Sequence, residues 1–413
     1  MRAELIAVGT ELLLGRIINT NTAILGRRLA ELGVDVYRHV TVGDNVERLL
    51  DAMREAAPRA ELVITIGGLG PTLDDVTRDA IVRFGGLRTY VDRTVLAHIR
   101  RRYRLRGLAM PAADRCMAEV PEGAAVFHNH VGAAPGFAVS VERSWIIALP
   151  GPPSEMEPMA ERNLASFIRR IRPEPSLILS RTLKVTGMVE SHVHRLIARW
   201  MTAQPPVTVG IYAGASEVDI VITAKASSRA RALRLIQPVE RSIRRRLGPR
   251  LFATDQEELE SVVGRLFVRR RATVAIAESC TGGLISHRLT NVPGSSRYLL
   301  QSVVAYSNTA KETALAVPRP LLRRHGAVSA PVATAMARGI RDANGATLGL
   351  AVTGIAGPGG GTSSKPVGLV FIALSHAHGT AVQRYRFLGS RDDIKRRAAQ
   401  AALELVRTHL TNA

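Results

Sequence analysis

The sequence predicts an α/β chain of two or three domains, on three observations. Short apolar runs alternate with loops and with segments of three-to-four hydrophobic spacing, the pattern of strands feeding helices in a parallel sheet. Polar, glycine-bearing stretches follow those runs directly, where a parallel sheet would gather them along one edge. At 413 residues, 46% of them hydrophobic, the chain is too long for one ordinary core and apolar enough to bury several.

In the first segment, residues 1–170, Leu5 to Val8 reads as a buried strand, Gly9-Thr10-Glu11 as a turn, and Thr22 to Leu32 as a helix closed by Gly33. Val34 to Val42 is a second strand ending at Gly43-Asp44-Asn45, and Val46 to Ala56 is an amphipathic helix. Leu62 to Ile66 is a third strand. It runs into Gly67-Gly68-Leu69-Gly70-Pro71-Thr72-Leu73-Asp74-Asp75-Val76-Thr77, with a helix starting near Thr77. Glu11, Asp44, Asp74 and Asp75 all fall on these loops and can share one cleft. Glycines let the backbone approach an anion, and carboxylates can hold a divalent cation that bridges phosphate oxygens. A Gly-Pro turn can equally just redirect the chain, and paired aspartates can simply begin a helix. The Gly/Pro-rich stretches Asn129 to Phe137 and Ile146 to Met156 read as further walls of the cleft, while His128 and His130 read as loop histidines.

The middle segment, residues 171–250, opens on a linker at Pro173-Glu174-Pro175. Leu177 to Val185 is a strand and Val189 to Met201 a helix; Val207 to Tyr212 and Val218 to Ala224 pair as a hairpin across Ala213 to Glu217, and Ser228 to Leu247 is an Arg-studded helix.

The last segment, residues 251–413, begins with the helix Leu259 to Arg270. Thr273 to Ala277 then reads as a buried strand, and Glu278-Ser279-Cys280-Thr281-Gly282-Gly283 as the turn into a helix, with Ser279 at its N-cap. Such a turn sets a hydroxyl beside free backbone N–H groups that can hold an oxyanion or a phosphate. Ser302 to Tyr306, Leu348 to Val352 and Leu369 to Leu374 are further strands, and the loops Ser307 to Lys311 and Thr353 to Gly361 are expected to converge on Ser279.

The formal charge is +21, yet only five of the 56 basic residues are Lys, and Arg is spread over every segment. Scattered Arg without basic-aromatic interleaving argues against a nucleic-acid stripe, and Arg-rich, Lys-poor usage suits a GC-rich coding sequence. Codon bias did not choose Lys311, the only Lys between Lys225 and Lys365. A desolvated ammonium can give up its proton near neutrality where a guanidinium cannot, so Lys311 can take the Ser279 proton. It can also be a surface residue at a helix start. Cys116 and Cys280 are too few for a disulfide framework or a zinc site, and Cys280 reads as a packing residue. No charged-then-apolar leader follows Met1 and no apolar run approaches roughly 18 residues, so a cytoplasmic, membrane-free location is expected.

Gly9-Thr-Glu-Leu-Leu-Leu-Gly15, Val42-Gly-Asp-Asn45, Gly67 to Asp75 and Leu149-Pro-Gly-Pro-Pro-Ser-Glu155 resemble the CinA family of competence/damage-inducible proteins. So do Glu278 to Gly283, Tyr306-Ser-Asn308 with Lys311, His325-Gly-Ala-Val-Ser329 and Thr353-Gly-Ile-Ala-Gly-Pro358. The resemblance implies a molybdopterin-binding-like three-layer α/β domain, a small KH-like α/β connecting domain and a C-terminal α/β amidase domain. It implies hydrolysis of ADP-ribose with a divalent metal such as magnesium in the first, and of nicotinamide mononucleotide to nicotinic acid mononucleotide and ammonia, without cofactor, in the last. Carried over by position, Asp44 and Asp75 are the signature aspartates of the first domain, with Asp74 beside them as a metal ligand, and Gly9, Glu11, Gly67, Gly68, Gly70, Pro71, Thr72 and Asn129 would bind substrate. In the last domain Ser279 is the nucleophile, Lys311 the base, and Tyr306 and Thr353 supporting residues. Arg391 is the expected C-terminal cation, with Arg396 and Arg397 as competitors, since Ser390-Arg391-Asp392 departs from the family's Gly-Asp-Arg-Asp. Cys280, Thr281, Gly282, Gly354 and Gly357 would line the substrate. The KH clamp Gly-x-x-Gly is missing, so a spacer or dimer element in a homodimer is expected in place of an RNA site. Two other readings stay open: a first domain that binds molybdopterin or a nucleotide without turnover, and a scaffold associated with competence or DNA damage.

Overall fold

Every apolar run named above becomes a strand or a helix in the computed structural model, which describes residues 1–172, 174–202, 206–214 and 216–412. The chain divides into two units, Met1–Leu179 with Pro205–Val207 and Thr223–Ile236, and Ser180–Gln204 with Thr208–Ile222 and Gln237–Ala413.

The N-terminal segment runs β1 (Arg2–Val8), α1 (Thr10–Leu13), α2 (Asn21–Glu31), β2 (Asp35–Val42), α3 (Val46–Ala56), β3 (Leu62–Ile66), α4 (Thr77–Gly85), β4 (Thr89–Val91) and α5 (Arg93–Leu105). It continues through β5 (Glu119–Pro121), β6 (Ala125–Phe127), β7 (Gly136–Val141), β8 (Ser144–Leu149), α6 (Pro153–Met159) and α7 (Ala165–Ile171). The main sheet has the order β2-β1-β3-β8-β7-β6. It is parallel from β2 to β8 and antiparallel beyond. The three strands expected to lie parallel, β1, β2 and β3, do so, while β7 returns antiparallel on β8 through Glu142 and Arg143, too short a connection for a crossover. Side chains alternate along β1, so Ile6 and Val8 pack under α3, α4 and α5 while Ala3 and Leu5 pack under α2, α6 and α7. Burial on both faces makes the three layers.

The middle segment holds β9 (Leu177–Val185), α8 (Glu190–Met201), β10 (Val207–Ala213), β11 (Val218–Ala226), α9 (Arg229–Leu247) and β12 (Leu251–Thr254), with strand order β10-β11-β9-β12. Pro173 of the expected linker and Ala215 of the expected hairpin turn lie outside the described residues.

The C-terminal segment follows as α10 (Leu259–Arg270), β13 (Val274–Glu278), α11 (Leu284–Thr290), β14 (Leu299–Val304), α12 (Asn308–Leu315), α13 (Arg319–His325), α14 (Ala330–Asn344), β15 (Leu348–Gly354), β16 (Leu369–His376), β17 (Gly379–Arg386) and α15 (Arg391–Asn412). Its sheet order is β14-β13-β15-β16-β17. The chain leaves β13 for a neighbour on one side and later fills the other, so the carboxyl end of β13 is a topological switch point. Val274 and Ile276 face α10, α11 and α15; Ala275 and Ala277 face α12, α13 and α14. Among the described residues, no helix is long and apolar enough to cross a membrane.

Candidate active sites

Ser279 stands at the carboxyl end of β13, where Glu278 pairs with Val304 on one side and Val352 on the other. It is not the N-cap expected from the sequence. The next helix starts at Leu284, and its N-cap is Gly283 in the left-handed region. The acceptor that anchors this helix is the buried Glu278 carboxylate, which takes hydrogen bonds from the N–H groups of Gly283 (3.0 Å), Ile285 (3.2 Å) and Ser286 (2.9 Å) and from the Ser286 hydroxyl (2.6 Å). An N-cap Ser would spend its oxygen on those donors; here Ser279 Oγ is left available. Gly282 and Gly283 have φ of +62° and +92°, a left-handed pair that bends the chain back toward the strand end.

Lys311 meets Ser279 from α12. Its side chain is 1% exposed, and Nζ lies 3.1 Å from Ser279 Oγ while donating to the carbonyls of Ala305 (2.7 Å) and Tyr306 (3.3 Å). The surface-lysine alternative is therefore gone. Burial lowers the Lys311 pKa, and its place in the first turn of α12 adds the positive end of a helix dipole. Two carbonyls occupy two N–H bonds of a neutral amine, which leaves its lone pair to the Ser279 hydroxyl.

Cys280 is buried and its thiol is pushed up to about 12 by desolvation, so it holds no thiolate at neutral pH. Ser279 N–H is spent on the Val352 carbonyl (3.0 Å) and Gly282 N–H on the Ser279 carbonyl (3.1 Å). The intervening N–H groups of Cys280 and Thr281 have no acceptor on another described residue and are the donors available to an oxyanion.

Arg391, the first residue of α15, donates to the Gly357 carbonyl (2.6 Å) and the Tyr306 hydroxyl (2.8 Å). Its two competitors turn elsewhere: Arg396 pairs with Asp392 and Arg397 donates to the Leu388 carbonyl. Tyr306 lies beyond the end of β14 with its ring 61% exposed, so it rims the site. Thr353 is buried and its hydroxyl donates to the Ala327 carbonyl (2.9 Å), bracing the His325 to Ser329 loop. Gly354 is the last residue of β15, where a Cβ would meet Val370 at 2.7 Å, so glycine is needed there for packing against β16.

The N-terminal cleft is a cavity of about 570 Å³ at the carboxyl ends of β1, β2, β3 and β8. Gly9, Glu11, Asp44, Gly67, Gly68, Gly70, Asp74 and Asp75 all line it. Gly67 has φ +103°, and a Cβ there would meet the Val8 carbonyl at 2.6 Å, so only glycine fits between the strand ends. Asp44 accepts from Thr10 N–H (2.8 Å), and Asp75 accepts from the Thr72 N–H (3.0 Å) and hydroxyl (2.5 Å). Asp74 is exposed, and the neighbouring Thr72 side chain and its own backbone N–H hold its carboxyl below the ordinary range. Pro71 and Thr72 do not line the cavity; Thr72 holds Asp75 in place by its two hydrogen bonds. Asn129 does not line the cavity: its amide is taken up by the Ala134 carbonyl, Glu155, Val131 N–H and Gly132 N–H, and it braces Ala134 and Glu155, which do.

Among the described residues, the cleft walls carry Glu11, Asp44, Asp74, Asp75 and Glu155 and no Lys or Arg, in a chain of net charge +21. Among the described residues no three acidic, His or Cys side chains close into a metal cage. Carboxylates on an open cleft suit a hard divalent cation that keeps waters and takes its remaining ligands from a phosphate.

Sequence reasoning passed over Glu278 as an anchor and Lys395, whose Nζ lies 3.6 Å from where a Cβ on Gly282 would stand. Lys395 carried the same signal that flagged Lys311: a Lys where this chain writes Arg.

Compared with known proteins, residues 4–170 match the model of a probable molybdopterin binding domain, residues 180–253 that of the damage-inducible protein CinA KH domain, and residues 256–410 that of the CinA C-terminal domain. The chain is 43% identical over 407 residues to a competence-damage inducible protein of Caldicellulosiruptor bescii, covering 98% of each. It is 42% identical over 410 residues to a CinA-like protein of Kosmotoga olearia, covering 99% of each. Among solved structures, the protein CinA of Thermoplasma acidophilum is 34% identical, covering 41% of this chain and 99% of that one at a TM-score of 0.38.

Proposed function

The chain belongs to the CinA family, and from that premise we propose that it is a two-headed pyridine-nucleotide hydrolase, with a C-terminal Ser-Lys amidase and an N-terminal metal-dependent pyrophosphatase. One observation carries the amidase reading: Lys311 Nζ is buried, and lies 3.1 Å from Ser279 Oγ with two carbonyls fixing its orientation. A buried lysine with no carboxylate partner is costly unless its neutral form is the working one.

Ser279 Oγ attacks the carboxamide carbon of nicotinamide mononucleotide while its proton passes to Lys311 Nζ. The N–H groups of Cys280 and Thr281 stabilise the negative oxygen of the tetrahedral intermediate. Lys311 returns the proton to the departing nitrogen, ammonia leaves, and Ser279 carries the ester. Water then attacks that ester, again losing its proton to Lys311, which gives it back to Ser279 Oγ as nicotinic acid mononucleotide departs.

In the N-terminal head, Asp44, Asp74 and Asp75 would hold a divalent cation such as magnesium, which neutralises pyrophosphate charge and polarises phosphorus toward water. A cleft with five carboxylates and no basic side chain repels an anion on its own, and that supports the metal reading. The chain's own contribution is the Gly67–Gly70 backbone, which lets the phosphates approach, and Thr72, which orients Asp75. The test is ammonia release from nicotinamide mononucleotide and AMP release from ADP-ribose, with and without magnesium. Wild type lacking ammonia release while folded overturns the amidase reading, and AMP formed equally in a chelator overturns the metal reading.

A further inference from the structure

The five lysines of this chain do not share one fate. Lys184 pairs with Glu217 and Glu258, Lys225 with Asp35, Lys311 with Ser279 and two carbonyls, and Lys365 donates to the His325 carbonyl at 2.6 Å. Lys395 alone among them has no acceptor and no ion pair among the described residues. It is partly buried, and its Nζ lies over Gly282 in the turn that carries Ser279 and the free N–H groups of Cys280 and Thr281.

Its surroundings sharpen the point. Arg391 and Lys395 are four residues apart in α15 and so share a face, and Arg391 is already tied to Gly357 and Tyr306 at the rim of the site. Arg396 and Arg397 are engaged away from it, with Asp392 and the Leu388 carbonyl. Cations in the opening turns of a helix oppose its dipole, so two of them facing the nucleophile turn are electrostatically unsatisfied until an anion arrives. A compact ammonium on a flexible stem suits a phosphate as a point charge.

We propose that Lys395 binds the phosphate monoester of the C-terminal head's substrate and so makes that head select nucleotide over nucleoside carboxamides. This rests on the amidase reading above. Lys395 supplies no proton to the reaction, and its effect is on recognition.

The test compares nicotinamide mononucleotide with nicotinamide riboside, which lacks the phosphate, in the full-length wild type, Lys395→Gln and Lys395→Arg. Loss of one charge-assisted contact should raise KM for the nucleotide about 10- to 100-fold in Lys395→Gln, with kcat far less affected. The nucleotide-over-riboside preference should collapse by the same factor and be largely kept in Lys395→Arg. Inorganic phosphate should inhibit the wild type more strongly than Lys395→Gln. An equal loss on both substrates, or a loss confined to kcat, would mean that Lys395 only positions the Gly282 turn and would overturn the proposal. Should the wild type release ammonia from neither substrate, the amidase reading fails by itself. Phosphate affinity by calorimetry then decides separately: the same value in wild type and Lys395→Gln would refute Lys395 as an anion site.

Discussion

The two heads present opposite electrostatic designs on similar scaffolds. At the carboxyl edge of the C-terminal sheet the polar atoms are already in contact: the Ser279 hydroxyl, the Lys311 amine and two orienting carbonyls are held by the chain itself, and Lys311 is 1% exposed. At the carboxyl edge of the N-terminal sheet the acids line a cavity of about 570 Å³ without closing on one another. One site carries a desolvated lysine, and the other sets five carboxylates around an open cavity. On the proposed function, the same α/β edge would support a proton relay in one case and a receptor for an external cation in the other.

The largest effect should come from breaking the closed site. Ser279→Ala should lower ammonia release by about 10³-fold or more, and Lys311→Met should do nearly the same, because nucleophile and base act as a unit. Both variants should keep AMP release from ADP-ribose within about twofold. Equal loss of both activities would show that the heads are not separable as described, and is read by assaying the two products side by side.

The open site should yield less to a single change. Asp75→Asn keeps the shape that Thr72 holds and removes one charge, so AMP release should fall by about 10²-fold while ammonia release stays as it was. A chelator should reproduce this pattern in the wild type. Partial rescue of Asp75→Asn by raised magnesium would sharpen the assignment, since a weakened site refills by mass action.

The sequence was most legible where periodicity and chemistry agreed. Val46 to Ala56, Leu62 to Ile66, Leu177 to Val185 and Leu259 to Arg270 stand where their hydrophobic spacing put them. Lys311 was visible as an exception to Arg usage, and its burial is the counterpart of that exception. Ser279 was misplaced as a helix cap because spacing cannot show that Glu278, one residue earlier, reaches over the turn to take the helix's free N–H groups. The hydrogen bonds of Asn129 were illegible for a related reason: a polar residue in a Gly/Pro loop looks the same in sequence whether or not it ties the loop to itself. Arg391 was preferred to Arg396 and Arg397 on resemblance alone, and only the packing of α15 shows that it is Arg391 that reaches Tyr306 and Gly357.

The contrast between buried amine and exposed acids also predicts a difference in pH-dependent stability. Lys311 has its folded pKa depressed below the ordinary 10.5, so between the folded value and 10.5 the unfolded chain binds more protons. Stability from this group therefore rises with pH across that window. Wild type should gain on Lys311→Met as pH is raised toward 10.5, by at most about 1.4 kcal/mol per pH unit. Denaturant midpoints of the two proteins at several pH values check this; parallel curves would mean that Lys311 stays protonated in the fold.

The smallest effect is expected one residue from the nucleophile. Cys280 offers a sulfur in the same turn as Ser279, and a thiol is intrinsically the better nucleophile once ionised. Its thiol is held up near 12 by burial, so the thiolate is absent at neutral pH, and the side chain packs into the core under β13. Cys280→Ala keeps the backbone N–H that the oxyanion needs and removes only the sulfur. Ammonia release should change by no more than about threefold, with a stability loss of about 1 kcal/mol from the small cavity left behind. Iodoacetamide at neutral pH should modify Cys116, which is partly exposed, and leave turnover intact. Loss of ammonia release in Cys280→Ala as large as that in Ser279→Ala would reverse the order of the two residues and make sulfur, not the Ser279 hydroxyl, the attacking atom.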